Sequence, residues 1–405
     1  MPMHILEGTT IIDFTQFISG SRCTQVLADA GARVVKVEPP EGDTLRVMFS
    51  LTPGSERCYS VLNRNKYGIA VNVREPQGRE IVLKLAEQSD VFVHNLIPGS
   101  LEKQGLGYEG LKARREDIIY AAISGFGTAG VKPERAAFDI IAQATGGQFW
   151  NKQESFSMPD NYWGDFMSGA YGAIAILLAL IHRLKTGQGQ YIDLSMQDVV
   201  YFNNYRAMMD KALGPVSAAV EKELGRRPRD VMHSTDRMPF YGFFKASDGM
   251  VAIVATTTRQ WRELTEIIGR AEMATDPNFS DFLGQIKNHQ EAVRLIDEWT
   301  RTHPAQEIIA ILEGKKIPCG IAYTIEQVNE DANLKARGMF QQVRHGEYGA
   351  IDVPGIPFRF SGAQGSMRMP APGLGEHSRL ILEGWLGYTP DEVEALSERG
   401  IIRCP

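Results

Sequence analysis

The sequence predicts an α/β protein built on a parallel sheet. Three observations support this. Short apolar runs alternate with helical ones along the first third of the chain, glycine and proline punctuate the joints between them, and the resulting βαβ rhythm repeats from Thr10 to Ser124. Such a rhythm belongs to a parallel sheet covered by helices.

Taken in order, Thr10 to Phe14 is expected as a buried strand. Thr24 to Ala30 has helical spacing and stops at Gly31, a C-terminal cap. Arg33 to Val37 is the next strand, halted by Pro39 and Pro40. Strand Gly68 to Val73, helix Gly78 to Glu87, strand Asp90 to His94 and strand Ile118 to Ser124 complete the βαβ rhythm. From Gly125 to Gly164 glycine and polar residues thicken and no period is visible. A long apolar helix then runs from Ala170 to Leu184, followed by strand Gln190 to Ser195 and helix Gln197 to Ala212. The charged stretch Glu221 to Arg229 has the composition of a linker. Beyond it, Phe240 to Lys245 and Met250 to Ala255 form a hairpin turned at Ser247-Asp248-Gly249, with helices at Gln260 to Ile268 and Asn288 to Thr300. Strand-like pieces between Met339 and Phe360 and a helical tail from Ser378 to Arg399 return to the first domain. The expected divisions are residues 1–220 for the large domain, 221–335 for a smaller α+β domain, and 336–405 for the return.

The 405 residues carry a formal net charge of -6, which argues against nucleic acid as the main partner. Cys23, Cys58, Cys319 and Cys404 are scattered without a metal-ligand spacing, as expected of free thiols in a reducing compartment. The first residues lack the basic and apolar regions of a secretory signal, and the cytoplasm is the expected location. The most apolar run, Ala170 to Ile181, is too short to span a bilayer and is expected as a buried helix, so no membrane partner is foreseen.

In parallel sheets, ligands sit beyond the carboxyl ends of the strands. The segments that matter are therefore Thr15 to Ser21, Glu38 to Arg46, Arg74, Asn95 to Gly99, and Ser124 to Gly127. The turn after the first strand holds a single glycine, Gly20, so it is not a dinucleotide fingerprint. The glycine-rich run Ser124 to Gly130 leads into a polar, proline-broken stretch instead of a helix. No Walker sequence, Gly-x-Ser-x-Gly or histidine pair at metal-ligand spacing occurs, and no metal is expected. Lys36, Arg46, Arg64, Lys66, Arg74 and Lys103 gather near strand ends, either as a solvated rim or as a grip on a phosphate-bearing ligand. The segment Asn95 to Gly99 could present backbone groups to an adenine or a pantetheine arm.

One acid stands apart. Asp165 follows Tyr162-Trp163-Gly164 and precedes the long apolar helix. It is either an N-cap, accepting orphan N–H groups, or a carboxylate held out into a pocket to react. The aromatics around it (Phe149, Trp150, Phe156, Tyr162, Trp163, Phe166) are either core or the wall of that pocket.

Several short motifs, in this order and spacing, resemble class III coenzyme A transferases, the superfamily of formyl-CoA and carnitine CoA-transferases and α-methylacyl-CoA racemase. They are Ile12-Asp13-Phe14-Thr15, Gly31 to Glu38, Asn63-Arg64-Asn65-Lys66, Asn95 to Gly99, Ser124-Gly125-Phe126-Gly127, Gly187-Gln188-Gly189-Gln190, Ile317-Pro318-Cys319-Gly320 and Gly375-Glu376-His377. The resemblance implies a Rossmann-like, doubly wound large domain made from both chain ends, an inserted smaller α+β domain, and an interlocked homodimer. It implies no permanently bound cofactor, with coenzyme A and acyl-CoA as substrates and a carboxylic acid as acceptor. Asp165 falls on the family's nucleophile. Arg74, Asn95, Leu96, Ile97 and Lys103 fall where the family grips the nucleotide and pantetheine. Ile18, Ser19, Val71, Asn72, Val73, Ala136, Ala137, Phe138 and Asp139 align with other CoA-contacting segments.

The chain also departs from the pattern. Pro39 replaces a basic nucleotide contact, so Lys36, Arg46 or another cation must substitute. The glycine-rich loop of the formyl-CoA enzyme is missing from Met232 to Gly242, which counts against oxalate and formyl-CoA as substrates. The racemase's histidine base aligns with Phe138 and its assisting glutamate near Thr257. Phenylalanine takes no proton, so a transferase is expected over a racemase. A third reading, an inactive subunit of a heteromeric transferase, is opposed by retention of Asp165. Donor and acceptor acids are not legible. Small acids such as succinate would need Arg135 or Arg237 in the pocket, whereas the aromatic segment would suit a bulkier aryl acid.

Overall fold

The computed structural model describes residues 4–47, 57–131, 133–149, 161–205, 207–209, 211–212, 221–222, 238–346, 349–363 and 365–405. Trp150, Phe156, Arg237 and most of the linker and missing-loop segments named above lie outside them. Two compact units emerge, residues 1–204 with 333–405, and residues 205–332.

The first unit begins with β1 (Thr10–Phe14), α1 (Ser19–Asp29), β2 (Arg33–Glu38), α2 (Thr44–Val47), α3 (Arg57–Asn63), β3 (Lys66–Val71) and α4 (Pro76–Glu87). It continues with β4 (Val91–His94), α5 (Tyr108–Arg114), β5 (Ile119–Ser124), α6 (Asp139–Thr145), α7 (Trp163–Thr186), β6 (Tyr191–Ser195) and α8 (Met196–Asn203). Six of its strands pair in parallel in the order β3-β2-β1-β4-β5-β6, reversing direction of growth between β1 and β4. The α/β prediction holds, with one addition at the edge. The sheet is mixed, because Ile402 and Arg403 near the chain's end pair antiparallel with β3. Two residues with no periodicity carry no strand signal in the sequence.

Each face of the sheet has its own core. Ile12, Val35, Ile69, Phe92 and Tyr120 pack against α4, α5 and the C-terminal helical turns. Ile11, Val34, Val93, Ala121 and Ile123 pack beneath α1 and α7. This two-sided cover is why the strands are predominantly apolar on both faces.

α7 comes unusually close to α1. A Cβ added at Gly169 would lie 2.6 Å from the Ser19 carbonyl, and one at Gly172 would lie 3.0 Å from Cys23 Sγ. Glycine is therefore required along this seam. The expectation of a helix buried all round is corrected. α7 spans 24 residues, long and apolar enough to cross a membrane by length and composition, and half of its apolar stretch is buried. Ile174, Leu178 and Ile181 recur at helical spacing on the outward face, between 49% and 62% exposed.

The second unit is α+β. An antiparallel sheet in the order β7-β8-β9 comprises β7 (Tyr241–Lys245), β8 (Met250–Val254) and β9 (Cys319–Ile321). Trp261, Ile296 and Ile308 from three helices pack onto Phe244, Val251 and Ile253.

The carboxyl ends of the central strands are tied by a buried ion network. Asp13, at 0% exposure, accepts hydrogen bonds from Lys66 Nζ at 2.8 Å, Thr24 Oγ1 at 2.7 Å and Thr15 Oγ1 at 2.5 Å. Lys36 Nζ lies 4.0 Å from Asp13 and 2.9 Å from Asp43. Burial pushes the Asp13 carboxyl up, but Lys36 and Lys66 together outweigh it and hold its pKa at about 2. Removing one member of a buried pair strands its partner's charge. We therefore expect Asp13→Asn to cost about 3–5 kcal/mol in urea unfolding. In the wild type this share of stability is present above pH 3.8 and lost as pH falls through about 2.

Candidate active site

A cavity of about 550 Å³ opens over the carboxyl ends of β1, β4 and β5, next to the reversal in strand order. The turn after β1 supplies Gln16, Phe17, Ile18 and Ser19, and the turn after β4 supplies Asn95 to Pro98. Ile123 to Gly125 and Arg135 to Ile140 come from β5 and the approach to α6. Asn161, Tyr162 and Asp165 come from the start of α7, and Met196 from α8.

The β1 turn is clamped from below. Asn95 Oδ1 accepts the Gln16 N–H at 2.8 Å, while Asn95 Nδ2 donates to the Gln16 carbonyl at 2.7 Å and to Ser19 Oγ at 3.3 Å. Asp43 Oδ1 accepts the Phe17 N–H at 3.2 Å, and Lys36 Nζ donates to the Thr15 carbonyl at 2.6 Å. These bonds hold Phe17 at φ +58°, a left-handed conformation costly for a bulky residue. Its ring meets Phe138 edge-on, with centroids 5.5 Å apart.

Asp165 is not the N-cap. Tyr162 is, without a side-chain cap bond, and Asp165 is the third residue of α7. The capping role falls to Asp139, whose Oδ1 accepts the Asp165 N–H at 3.1 Å. The Asp165 carboxyl is left free of the helix. Burial, and then the Asp139 carboxylate, push its pKa from 3.8 up to about 7, with the Ser19 hydroxyl pulling the other way. A half-buried acid this basic is reactive near neutrality, either as a nucleophile or as a proton carrier.

The cavity brings together ten of the residues singled out from the sequence: Ile18, Ser19, Asn95, Leu96, Ile97, Ala136, Ala137, Phe138, Asp139 and Asp165. Val71, Asn72, Val73, Arg74 and Lys103 do not line it. Val71 ends β3 and is buried in the core, and the others follow β3 and β4 on the same edge, with Arg74 and Lys103 exposed. Thr257 caps a helix of the second unit.

The basic group is corrected. Lys36 and Lys66 are 0% exposed and consumed by Asp13 and Asp43. Arg64 is buried against Asp29, and Arg46 makes two bonds to Glu38. All four are paired with carboxylates, so they are not simply a solvated rim. The partners of Arg64 and Lys66 lie 35 and 53 residues away, and those of Lys36 and Arg46 lie across the turn after β2, so the pairing was invisible in the sequence. Among the aromatics, Tyr162 lines the cavity while Phe166 packs against the Leu45, Tyr59 and Leu62 cluster. Gln16, Phe17, Ile140, Asn161 and Met196 were not singled out one by one, because only the folded turns bring them to the cavity.

A description of CoA-transferase family III matches residues 6–378. The chain is 32% identical to a formyl-CoA:oxalate CoA-transferase of Streptomyces avermitilis, over 98% of its own length and 99% of that protein's. It is 31% identical to a succinyl-CoA:glutarate CoA-transferase of Mus musculus, over 99% and 91% respectively. Its fold matches the crystal structure of a CaiB/BaiF family protein from Brucella suis with a TM-score of 0.77, at 29% identity, covering 95% of this chain and 100% of that one. With the sheet, the cavity at its carboxyl edge and these matches in agreement, the chain belongs to CoA-transferase family III and is a class III CoA-transferase, moving CoA between carboxylic acids.

Proposed function

We propose that Asp165 is the covalent nucleophile of the transfer. The observation that carries this reading is a basic, half-buried carboxylate at the wall of an apolar cavity, with Phe138, which takes no proton, lining the same cavity at the position where the racemase branch has its histidine base. In the first step a carboxylate oxygen of Asp165 attacks the thioester carbonyl of the donor. The C–S bond breaks, CoA thiolate leaves with the electron pair, and an aspartyl anhydride remains. The thiolate then attacks the aspartyl carbonyl and expels the donor acid, leaving an aspartyl-CoA thioester. The acceptor carboxylate attacks that thioester, releasing thiolate and forming a second anhydride. Attack of the thiolate on the acceptor's carbonyl yields the new acyl-CoA and restores Asp165. Each intermediate preserves the activation of the thioester. Apolar walls from Phe17, Ile97, Phe138 and Tyr162 keep water from the anhydride.

The CoA reading follows the same edge. Asn95, Leu96 and Ile97 would take the pantetheine, with exposed Arg74 and Lys103 left for the phosphates. Arg135 is the cation among the described residues that lines the cavity, and it would hold an acceptor carboxylate. A homodimer is supported by the outward apolar face of α7 and by exposed Tyr201 and Phe202 on α8.

Four outcomes test these assignments. Incubation with succinyl-CoA, quenching with hydroxylamine and peptide mapping should place the adduct on Asp165. The same preparation should show no α-deuterium exchange with a branched acyl-CoA in the absence of acceptor. An unmodified Asp165 across a panel of acyl-CoAs, or rapid exchange, would overturn the mechanism. Arg135→Met should raise the acceptor KM by roughly ten- to a hundredfold, the loss of one charge-assisted hydrogen bond, with little change for the donor. Sedimentation should give twice the 45.0 kDa of the chain, and a monomer at micromolar concentration would reject the dimer.

A further inference from the structure

Asp139 and Asp165 bring two carboxylates to one wall of the cavity, and their surroundings treat them unequally. Asp139 is 5% exposed and both of its oxygens are occupied. Oδ1 accepts the Asp165 N–H at 3.1 Å and Oδ2 accepts Gln143 Nε2 at 2.6 Å. Gln143 is itself held, donating to the Asn161 carbonyl at 3.1 Å. The positive end of the α7 dipole adds to these donors at the Asp139 carboxylate. Gly164 makes the approach feasible, since a Cβ there would lie 3.0 Å from Asp139 Oδ1.

Asp165 has much less support. From α1 it faces the Ser19 hydroxyl, which Asn95 Nδ2 holds at 3.3 Å. Arg22 of α1 lies over the neighbouring Phe166 ring at 5.7 Å but bonds Gln25 Oε1. Arg135 and Tyr162 line the same cavity, and α8 contributes only uncharged Met196 to it. Within the pair, the cost of the second negative charge therefore falls on Asp165.

We propose that Asp139 is the positioning residue of the nucleophile, seating the Asp165 backbone through its N–H and opposing the Asp165 carboxylate with like charge, so that acylation is driven by removal of that charge. This rests on the nucleophile assignment above. When the Asp165 oxygen bonds the acyl carbon, its negative charge passes to the departing sulfur and the repulsion ends. Ser19 acts with the opposite sign, stabilising the free carboxylate.

The test reads the charge state of Asp165 directly. In full-length enzyme labelled with 13C-aspartate, with Asp165→Asn used to assign the signal, the carboxyl should titrate near pH 7. Asp139→Asn keeps an acceptor for the N–H but removes the charge, and should move that titration down by about one pH unit. It should also slow single-turnover acylation about tenfold at the plateau and shift its acid limb by the same amount. Ser19→Ala should move the titration up. Should Asp139→Asn not fold, Gly164→Ala supplies the second readout, because its Cβ displaces the Asp139 carboxylate and should also lower the titration. An unmoved titration in both the Asp139 and Gly164 variants, as a purely structural cap predicts, or shifts of the same sign in the Ser19 and Asp139 variants, would overturn the proposal. Failure of any acyl-CoA to label Asp165 would instead defeat the nucleophile reading, leaving the titrations to stand by themselves.

Discussion

A buried carboxylate, Asp13, makes the interaction on which the cavity edge of the sheet depends. It sits near the end of the central strand and takes charge-assisted hydrogen bonding from Lys66, on the third strand of the edge, beside Lys36 on the second. Because Lys36 also grips the Thr15 carbonyl and Asp43, and Asp43 grips the Phe17 N–H, one ionic cluster fixes both the strands and the turn above them. Charges this deep do little for net stability compared with apolar packing of the same volume. Their value here is geometric, since a strained turn at Phe17 persists only when its surroundings over-determine it.

A second constraint is steric. The glycines of α7 let that helix settle against α1, and this contact brings the first turn of α7 over the strand ends. An aspartate in that turn would ordinarily be absorbed by the orphan N–H groups of the helix. Asp139 takes that place from α6, which leaves Asp165 to face the cavity. The same sequence feature, an acid at a helix start, therefore serves two residues in two different ways. One carboxylate is quieted by donors, and the other is left under-solvated and reactive.

Much of this was legible beforehand. The strands could be read from the βαβ rhythm, the hairpin of the second unit from its Ser-Asp-Gly turn, and the site edge from the rule that parallel sheets bind ligands beyond their carboxyl ends. The misreadings have a common origin. Lys36, Arg46, Arg64 and Lys66 looked like an anion-binding rim because each was seen without its partner. Arg64 and Asp29 are 35 residues apart, and Lys66 and Asp13 are 53 apart. α6 lay hidden in a glycine-rich stretch, and the outward apolar face of α7 was taken for core.

By itself, the sequence determined the alternation of elements, the two-faced burial of the sheet, the candidate acid and the family. These are properties of local periodicity and of motif order along the chain. Only the tertiary structure decided which cations are spent in ion pairs and which residue caps the catalytic helix. It also decided which aromatics face the cavity and how basic Asp165 becomes. The reason is that desolvation and charge pairing depend on what surrounds a group in space. Those neighbours come from residues that the linear sequence keeps far apart.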